Sequence, residues 1–270
     1  MQAISLALYD SAMIRLLTAI LYCALSLPSL AAPLFGQPKI PLLDYQLLDT
    51  QPHNVNSFTQ GLVFEAPYFY ESSGLYGKSF ITRYSPQKKE QLVIISATLF
   101  AEGLTIIGQQ LYLLTWRKGI LQVYNKQTLA LQKTLHYRGE GWGLTSDGHQ
   151  LIMSDGSNRI RFRDPHTLEI KRQLTIKGLD KLNELEYTQD IIWANRWFDN
   201  AIYAISASNG CILGKVNLTA LRHHSVTPDH RNVLNGIAYD HQQQGFWVTG
   251  KFWPTRYLIR IETPSDTHCI

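Results

Sequence analysis

One acid, one lysine, three carboxamides and three tryptophans stand at related places along this chain of 270 residues. Gln60-Gly-Leu, Glu102-Gly-Leu, Trp142-Gly-Leu, Asn183-Glu-Leu and Asn235-Gly-Ile form five similar hooks. Trp116, Trp197 and Lys251 follow 13, 13 and 15 residues after the second residue of their own hooks. A carboxyl group can take and return a proton. An ammonium or carboxamide can stabilise an oxyanion, and indole faces can hold a short carbon chain in a concave site. Gathered together, these residues suit acid/base catalysis on a small substrate, or recognition of a peptide or protein without chemistry. Taken singly, each has a plainer role. Glu102 can bond backbone amides at a strand start, and Asn183 and Asn235 can serve as turn residues. Trp142 and Trp197 can fill a core, and Lys251 can be a solvated lysine.

Metal chemistry finds less support. A metal-dependent hydrolase such as a lactonase needs several carboxylates or histidines at the hooks, and only the hooks of Glu102 and Asn183-Glu184 carry an acid. His223, His224 and His230 cluster in a polar stretch, Arg222–Arg231, that reads as a solvated loop. No Cys–Cys or Cys–His spacing fits structural zinc. Neither a metal nor a cofactor is expected.

The elements that must position these residues follow from the repeat. The second residues of the hooks fall at 61, 103, 143, 184 and 236, a period near 40 with one longer interval that contains the 222–231 stretch. That period is the length of a four-stranded propeller blade. Leu144–Ser154 reads as a hairpin around Asp147-Gly148, and Leu104–Thr115 and Leu185–Asn195 read alike. Leu121–Tyr124, Ile160–Arg163, Ala201–Ile205 and Tyr257–Ile261 form third strands with alternating faces. The expected fold is all-β, a five-bladed β-propeller. Its last blade lacks a fourth strand, which Lys39–Asp49 can supply, pairing two otherwise exposed edges. In a propeller the innermost strands line the axis, so the hooks converge on one mouth.

Composition agrees. Hydrophobic residues make up 45%, which excludes a disordered chain, while only 17% are charged and 11% aromatic, as suits strands. The net charge of +4 comes without a basic tract, so no nucleic-acid partner is expected. Arg15, the apolar run Leu16–Leu27 and Ser29-Leu30-Ala31 read as a signal peptide over residues 1–31. The mature chain, 32–270, is then one exported domain, periplasmic or secreted, not inserted in a membrane and acting as a monomer. Cys211 and Cys269 are left as an even pair able to form a disulfide.

Several motifs carry a resemblance. Phe58-Thr-Gln-Gly-Leu62, Glu102-Gly-Leu-Thr105, Glu140-Gly-Trp-Gly-Leu-Thr145, Leu182-Asn-Glu-Leu-Glu186, Val233-Leu-Asn-Gly-Ile-Ala-Tyr-Asp240 and Val248-Thr-Gly-Lys-Phe-Trp-Pro254 closely resemble the plant-type glutaminyl-peptide cyclotransferases, also found in bacteria. The match runs in order from about residue 40 to 261. The resemblance implies a five-bladed propeller that converts N-terminal glutamine of peptides or proteins to pyroglutamate, releasing ammonia. It implies Glu102 as the acid/base, with Asn183 and Lys251 as polar partners. Gln60, Phe58, Phe100, Trp116, Trp142 and Trp197 would shape the pocket, and Asn235 at its hook joins them as a substrate contact. Two departures stand out: Ala101 replaces the family's usual glycine before the acid, and Asn54 replaces its usual Asp after His53.

Overall fold

Short apolar runs broken by turn residues cannot bury themselves singly, and here they stack as meanders. The computed structural model describes residues 39–86, 88–222, 231–262 and 264. After β1 (Tyr45–Pro52), blade 1 holds β2 (Thr59–Glu65), β3 (Tyr68–Ser73), β4 (Phe80–Ser85) and β5 (Lys88–Ile94). Blade 2 holds β6 (Ala101–Ile107), β7 (Gln110–Thr115), β8 (Ile120–Asn125) and β9 (Leu131–His136). Blade 3 holds β10 (Leu144–Ser146), β11 (Leu151–Ser154), β12 (Arg159–Arg163) and β13 (Ile170–Thr175). Blade 4 holds β14 (Leu182–Thr188), β15 (Ile191–Arg196), β16 (Ala201–Ser206) and β17 (Ile212–Asn217). Blade 5 holds β18 (Leu234–Asp240), β19 (Gly245–Gly250) and β20 (Thr255–Ile261), and β1 completes it in the order β1-β20-β19-β18. The five-bladed propeller is as expected. The only helical element among the described residues is a 3₁₀ turn at Thr219–Leu221. No helix there is long and apolar enough to cross a membrane.

Two details depart from the sequence reading. The closing strand lies later than Lys39–Asp49, pairing Tyr45 with Ile261 through to Pro52 with Thr255. The preceding segment instead runs beside blade 4, where Leu43 N–H donates to Lys215 O and Lys215 N–H to Pro41 O. The alternation expected of third strands also fails at β16, where Ala201–Ile205 are all buried. Each blade is covered on both faces by its neighbours, and alternation persists in the outer strand β9. Five hydrophobic clusters among the described residues mirror this, one at each blade interface. Cys211 is disulfide-bonded, and Cys269, its expected partner, lies outside the described residues. The expected signal segment 1–31 and His223, His224 and His230 also lie outside them.

The innermost strands approach one another too closely for a side chain at most hooks. A Cβ on Gly103 would lie 2.4 Å from Leu144 N, and one on Gly143 would lie 1.8 Å from Asn183 O. Blade 4 places Glu184 at the corresponding hook position, and its buried carboxyl crosses to accept Leu62 N–H at 3.3 Å. Ile237 N–H of blade 5 bonds the same side chain. Burial, followed by the charge of Glu186, pushes Glu184 well above the usual carboxylate range, so it stays neutral.

Where β1 leaves blade 5, a buried ionic pair ties the closure to blade 1. His53 Nδ1 lies 2.6 Å from Trp253 O and Nε2 lies 3.0 Å from Glu71 Oε1. Thr59 Oγ1 also donates to Glu71, as does Tyr84, whose hydroxyl accepts from Arg256. Burial alone would lower the His53 pKa, but the Glu71 charge and the bonds to Glu71 and Trp253 raise it above 6.5. Burial likewise raises Glu71, but His53, Thr59 and Ser57 bring it below 4.5.

Two predictions follow from these contacts. Gly143→Ala sets a methyl against a backbone oxygen that cannot yield, and urea melts should show a loss of at least about 3 kcal/mol. Gly148→Ala, in an open turn at φ +88°, should lose only about 1–2 kcal/mol. The stabilisation from the pair of His53 and Glu71 is complete above 4.5, the unfolded value of Glu71, and below 6.5, the unfolded value of His53. His53→Gln should therefore lose about 1.5–3 kcal/mol at pH ~5.5, and the difference from wild type should shrink as pH rises through the raised His53 pKa.

Candidate functional site

At four of the five hooks the inner hairpin slips register, which re-aims the first residue of the hook. The pairing shifts between Thr59 and Gly61, between Ala101 and Leu104, between Leu182 and Leu185, and between Leu234 and Ile237. A local irregularity of this kind re-aims side chains that a regular ladder would point into the blade interface. The residues so released are Gln60, Glu102, Asn183 and Asn235. Trp142 precedes the short β10 and is held by its N–H bond to Ser154 O.

Nine of the ten expected site residues meet around one cavity of about 220 Å³. Phe58, Gln60, Phe100, Glu102, Trp116, Trp142, Asn183, Trp197 and Lys251 line it. Asn235 does not. It lies fully buried behind Gln60, donating Nδ2–H to Thr59 O at 2.9 Å and to Gln60 Oε1 at 3.4 Å. Gln60 in turn bonds the Glu102 carboxyl, so Asn235 orients the amide that faces the acid. Larger clefts of about 550 and 670 Å³ lie elsewhere; in the second, His53, Glu71, Tyr84 and Arg256 are already bonded in one network.

Inside the cavity the two ionisable groups are pushed toward neutrality. Glu102 is buried, and desolvation lifts its proton affinity well above the usual carboxylate range. The Lys251 charge opposes that rise, Glu140 adds to it, and the Gln60 bond opposes it weakly. Burial brings Lys251 down to about 8 despite the attraction of Glu102. Lys251 Nζ lies 4.5 Å from the Phe58 ring centroid, a cation–π contact in place of lost hydration. Its loop is fixed by Lys251 N–H to Val233 O, Phe252 N–H to Ser57 O and His53 on Trp253 O. Asn183 Oδ1 is buried without a hydrogen-bond partner, a free acceptor on the wall. A carboxyl group that holds its proton, the Lys251 amine and a free acceptor can move a proton and steady an oxyanion in this aromatic space.

Sequence reasoning missed three residues here. Leu75 and Arg231 also line the cavity. Leu75 follows Gly74 with φ 97°, and Arg231 is the last residue of the polar stretch, so neither stands at a hook position. Glu140 accepts the indole N–H of Trp116 at 2.9 Å and of Trp142 at 3.0 Å on the same oxygen, Oε2. It stood in a motif already singled out, but only the fold reveals both partners. Ala101 proves harmless: it is not among the residues of positive φ, and its N–H accepts a place in strand β6 by donating to Ser79 Oγ. Asn54 caps its own turn, accepting Asn56 N–H on Oδ1. Among the described residues no group of three or more His, Cys, Asp or Glu side chains could hold a metal ion.

Comparison with known proteins agrees with this geometry. The chain is 37% identical over 224 residues to a glutaminyl-peptide cyclotransferase of Arabidopsis thaliana, covering 79% of this chain and 70% of that one. The crystal structure of Myxococcus xanthus glutaminyl cyclase superposes with a TM-score of 0.74 at 29% identity, covering 83% of this chain and 98% of the other. The family model for glutamine cyclotransferase matches residues 16–261, and the chain belongs to that family.

Proposed function

We propose that this chain is a glutaminyl-peptide cyclotransferase, converting the N-terminal glutamine of peptides and proteins to pyroglutamate with release of ammonia. The observation that carries the reading is a single buried carboxyl group, Glu102, in an aromatic cavity of about 220 Å³, room for one side chain. Membership of the family supports it.

The substrate brings its own nucleophile and electrophile, so the site needs only to fold the side chain back and move protons. A reactive conformer held in place can contribute about 7–11 kcal/mol in the best intramolecular cases. The neutral α-amine attacks the γ-carboxamide carbon, and the new C–N bond forms as the carbonyl oxygen takes up charge. Lys251 donates to that oxyanion, a role worth about 2.7–4 kcal/mol for a well-placed donor. Asn183 Oδ1 accepts an N–H of the substrate. Glu102 gives its proton to the departing nitrogen and recovers one from the attacking nitrogen. The old C–N bond breaks, ammonia leaves and the carboxyl group returns to its starting form. The raised proton affinity of Glu102 serves this cycle, because a carboxyl group that keeps its proton can hand it to the departing nitrogen. Phe58, Phe100, Trp116, Trp142 and Trp197 exclude water that would otherwise hydrolyse the amide. The scheme uses no metal and no cofactor. The same reading has the chain exported after removal of residues 1–31, acting as a monomer on peptides and not on nucleic acid.

Purified protein should release ammonia from a Gln-initiated dipeptide equally with and without EDTA. Binding without release would favour a peptide-binding propeller, and loss in EDTA would overturn the metal-free scheme. Glu102→Gln should lose about 10²–10⁴-fold in kcat while keeping its thermal transition. Near-normal turnover would remove Glu102 from its role. Export should leave Ala32 as the N-terminal residue, checked by sequencing the secreted or periplasmic protein.

A further inference from the structure

The aromatic wall consists of two arms. Tyr76 packs on Phe100 at 5.4 Å and Phe100 on Trp116 at 5.5 Å, forming the arm from blades 1 and 2. Trp142 packs on Trp197 at 5.4 Å and Trp197 stacks on Phe198 at 4.5 Å, forming the arm from blades 3 and 4. The arms meet at Glu140, whose Oε2 accepts from the indoles of both Trp116 and Trp142. Its other oxygen takes Arg117 Nε at 3.1 Å, and the Arg117 guanidinium lies over the Trp116 ring at 3.8 Å. The loop that carries Glu140 is fixed to the end of β7: Gly141 N–H donates to Trp116 O, and the Tyr137 hydroxyl donates to Thr115 O. A Cβ on Gly141 would fall 2.2 Å from that hydroxyl, so the loop has one seat.

We propose that Glu140 is a positioning residue for this site, its one carboxylate oxygen setting the faces of both tryptophans against the substrate. The proposal rests on the cyclotransferase reading. An indole free to rotate about its side-chain bonds would present edge or face at random, and a shared acceptor removes that freedom from two rings at once. Burial works to raise the Glu140 pKa, but bonds from Trp142, Trp116 and Arg117 bring it below 4.5, so it is ionised whenever the site is at work. The charged or titratable groups that face Glu102 are Lys251, Tyr137, Glu140 and, across the cavity, Arg231. Of these Glu140 is the anion, and it makes Glu102 hold its proton more tightly.

Two variants separate the bond from the charge. Glu140→Gln keeps an oxygen able to accept both indoles and removes the charge, while Glu140→Ala removes both. For Glu140→Ala we expect KM for a Gln-initiated peptide to rise about tenfold with kcat changed less than about threefold. For Glu140→Gln we expect KM within about threefold of wild type, with the limb of the kcat/KM profile that titrates Glu102 moved to lower pH. The limb that follows the substrate amine should stay in place. Near-UV circular dichroism reads the indoles without turnover: their signal should weaken in Glu140→Ala and persist in Glu140→Gln. An unchanged KM and indole signal in Glu140→Ala would overturn the proposal, as would a KM raised equally in both variants. If Glu140→Ala does not fold, a weakened indole signal together with a KM raised about tenfold in Glu140→Gln, which keeps the acceptor oxygen, overturns it alone. If wild type releases no ammonia, the functional reading fails, and the circular dichroism pair still decides whether Glu140 holds the indoles.

Discussion

Crowding at the propeller axis is the constraint on which the rest depends. Five inner strands converge until a Cβ has no room at Gly103 or Gly143, and backbone meets backbone across the blades, as in the 2.7 Å bond from Gly103 N–H to Trp142 O. Glycine satisfies this in four hooks. The fourth blade instead inserts Glu184, whose neutral carboxyl accepts backbone N–H groups of blades 1 and 5. The same crowding breaks the ladder at the hooks and turns the preceding side chains out to the mouth. Packing at the axis and assembly of the site are therefore one event.

The site's electrostatics follow from where that mouth lies. Eleven residues drawn from all five blades enclose a small volume, and its aromatic walls remove water from Glu102 and Lys251. Desolvation drives the acid up and the ammonium down, and their mutual attraction offsets only part of either change. The result is a carboxyl group that keeps its proton beside a lysine brought down to about 8. Around them, polar groups act in pairs: Asn235 sets Gln60, Gln60 faces Glu102, and Glu140 sets two indoles. His53 and Glu71 secure the loop that carries Lys251 from the far side. Chain closure by β1 thereby reaches the site through three residues, 251 to 253.

Much of this is legible in the sequence. A repeat near 40 residues with matching hooks determined blade number, strand order and the list of side chains that converge, because period and position survive in a linear string. Residue type then indicated acid/base chemistry, and family resemblance narrowed it. Four things needed the tertiary structure. Which segment closes blade 5 depends on pairing register with Ile261, where Tyr45 and not Lys39 finds its partner. Whether Asn235 touches the cavity depends on its hydrogen bonds to Thr59 and Gln60, which hold it behind the wall. The shared role of Glu140 needs Trp116 and Trp142 brought within hydrogen-bond distance of one oxygen. The proton affinity of Glu102 needs its surroundings, since burial is a property of packed volume and not of sequence order. Sequence alone thus determined what converges, through spacing; the fold decided how deep each group sits and which neighbour it faces, because those depend on distances between blades that no spacing records.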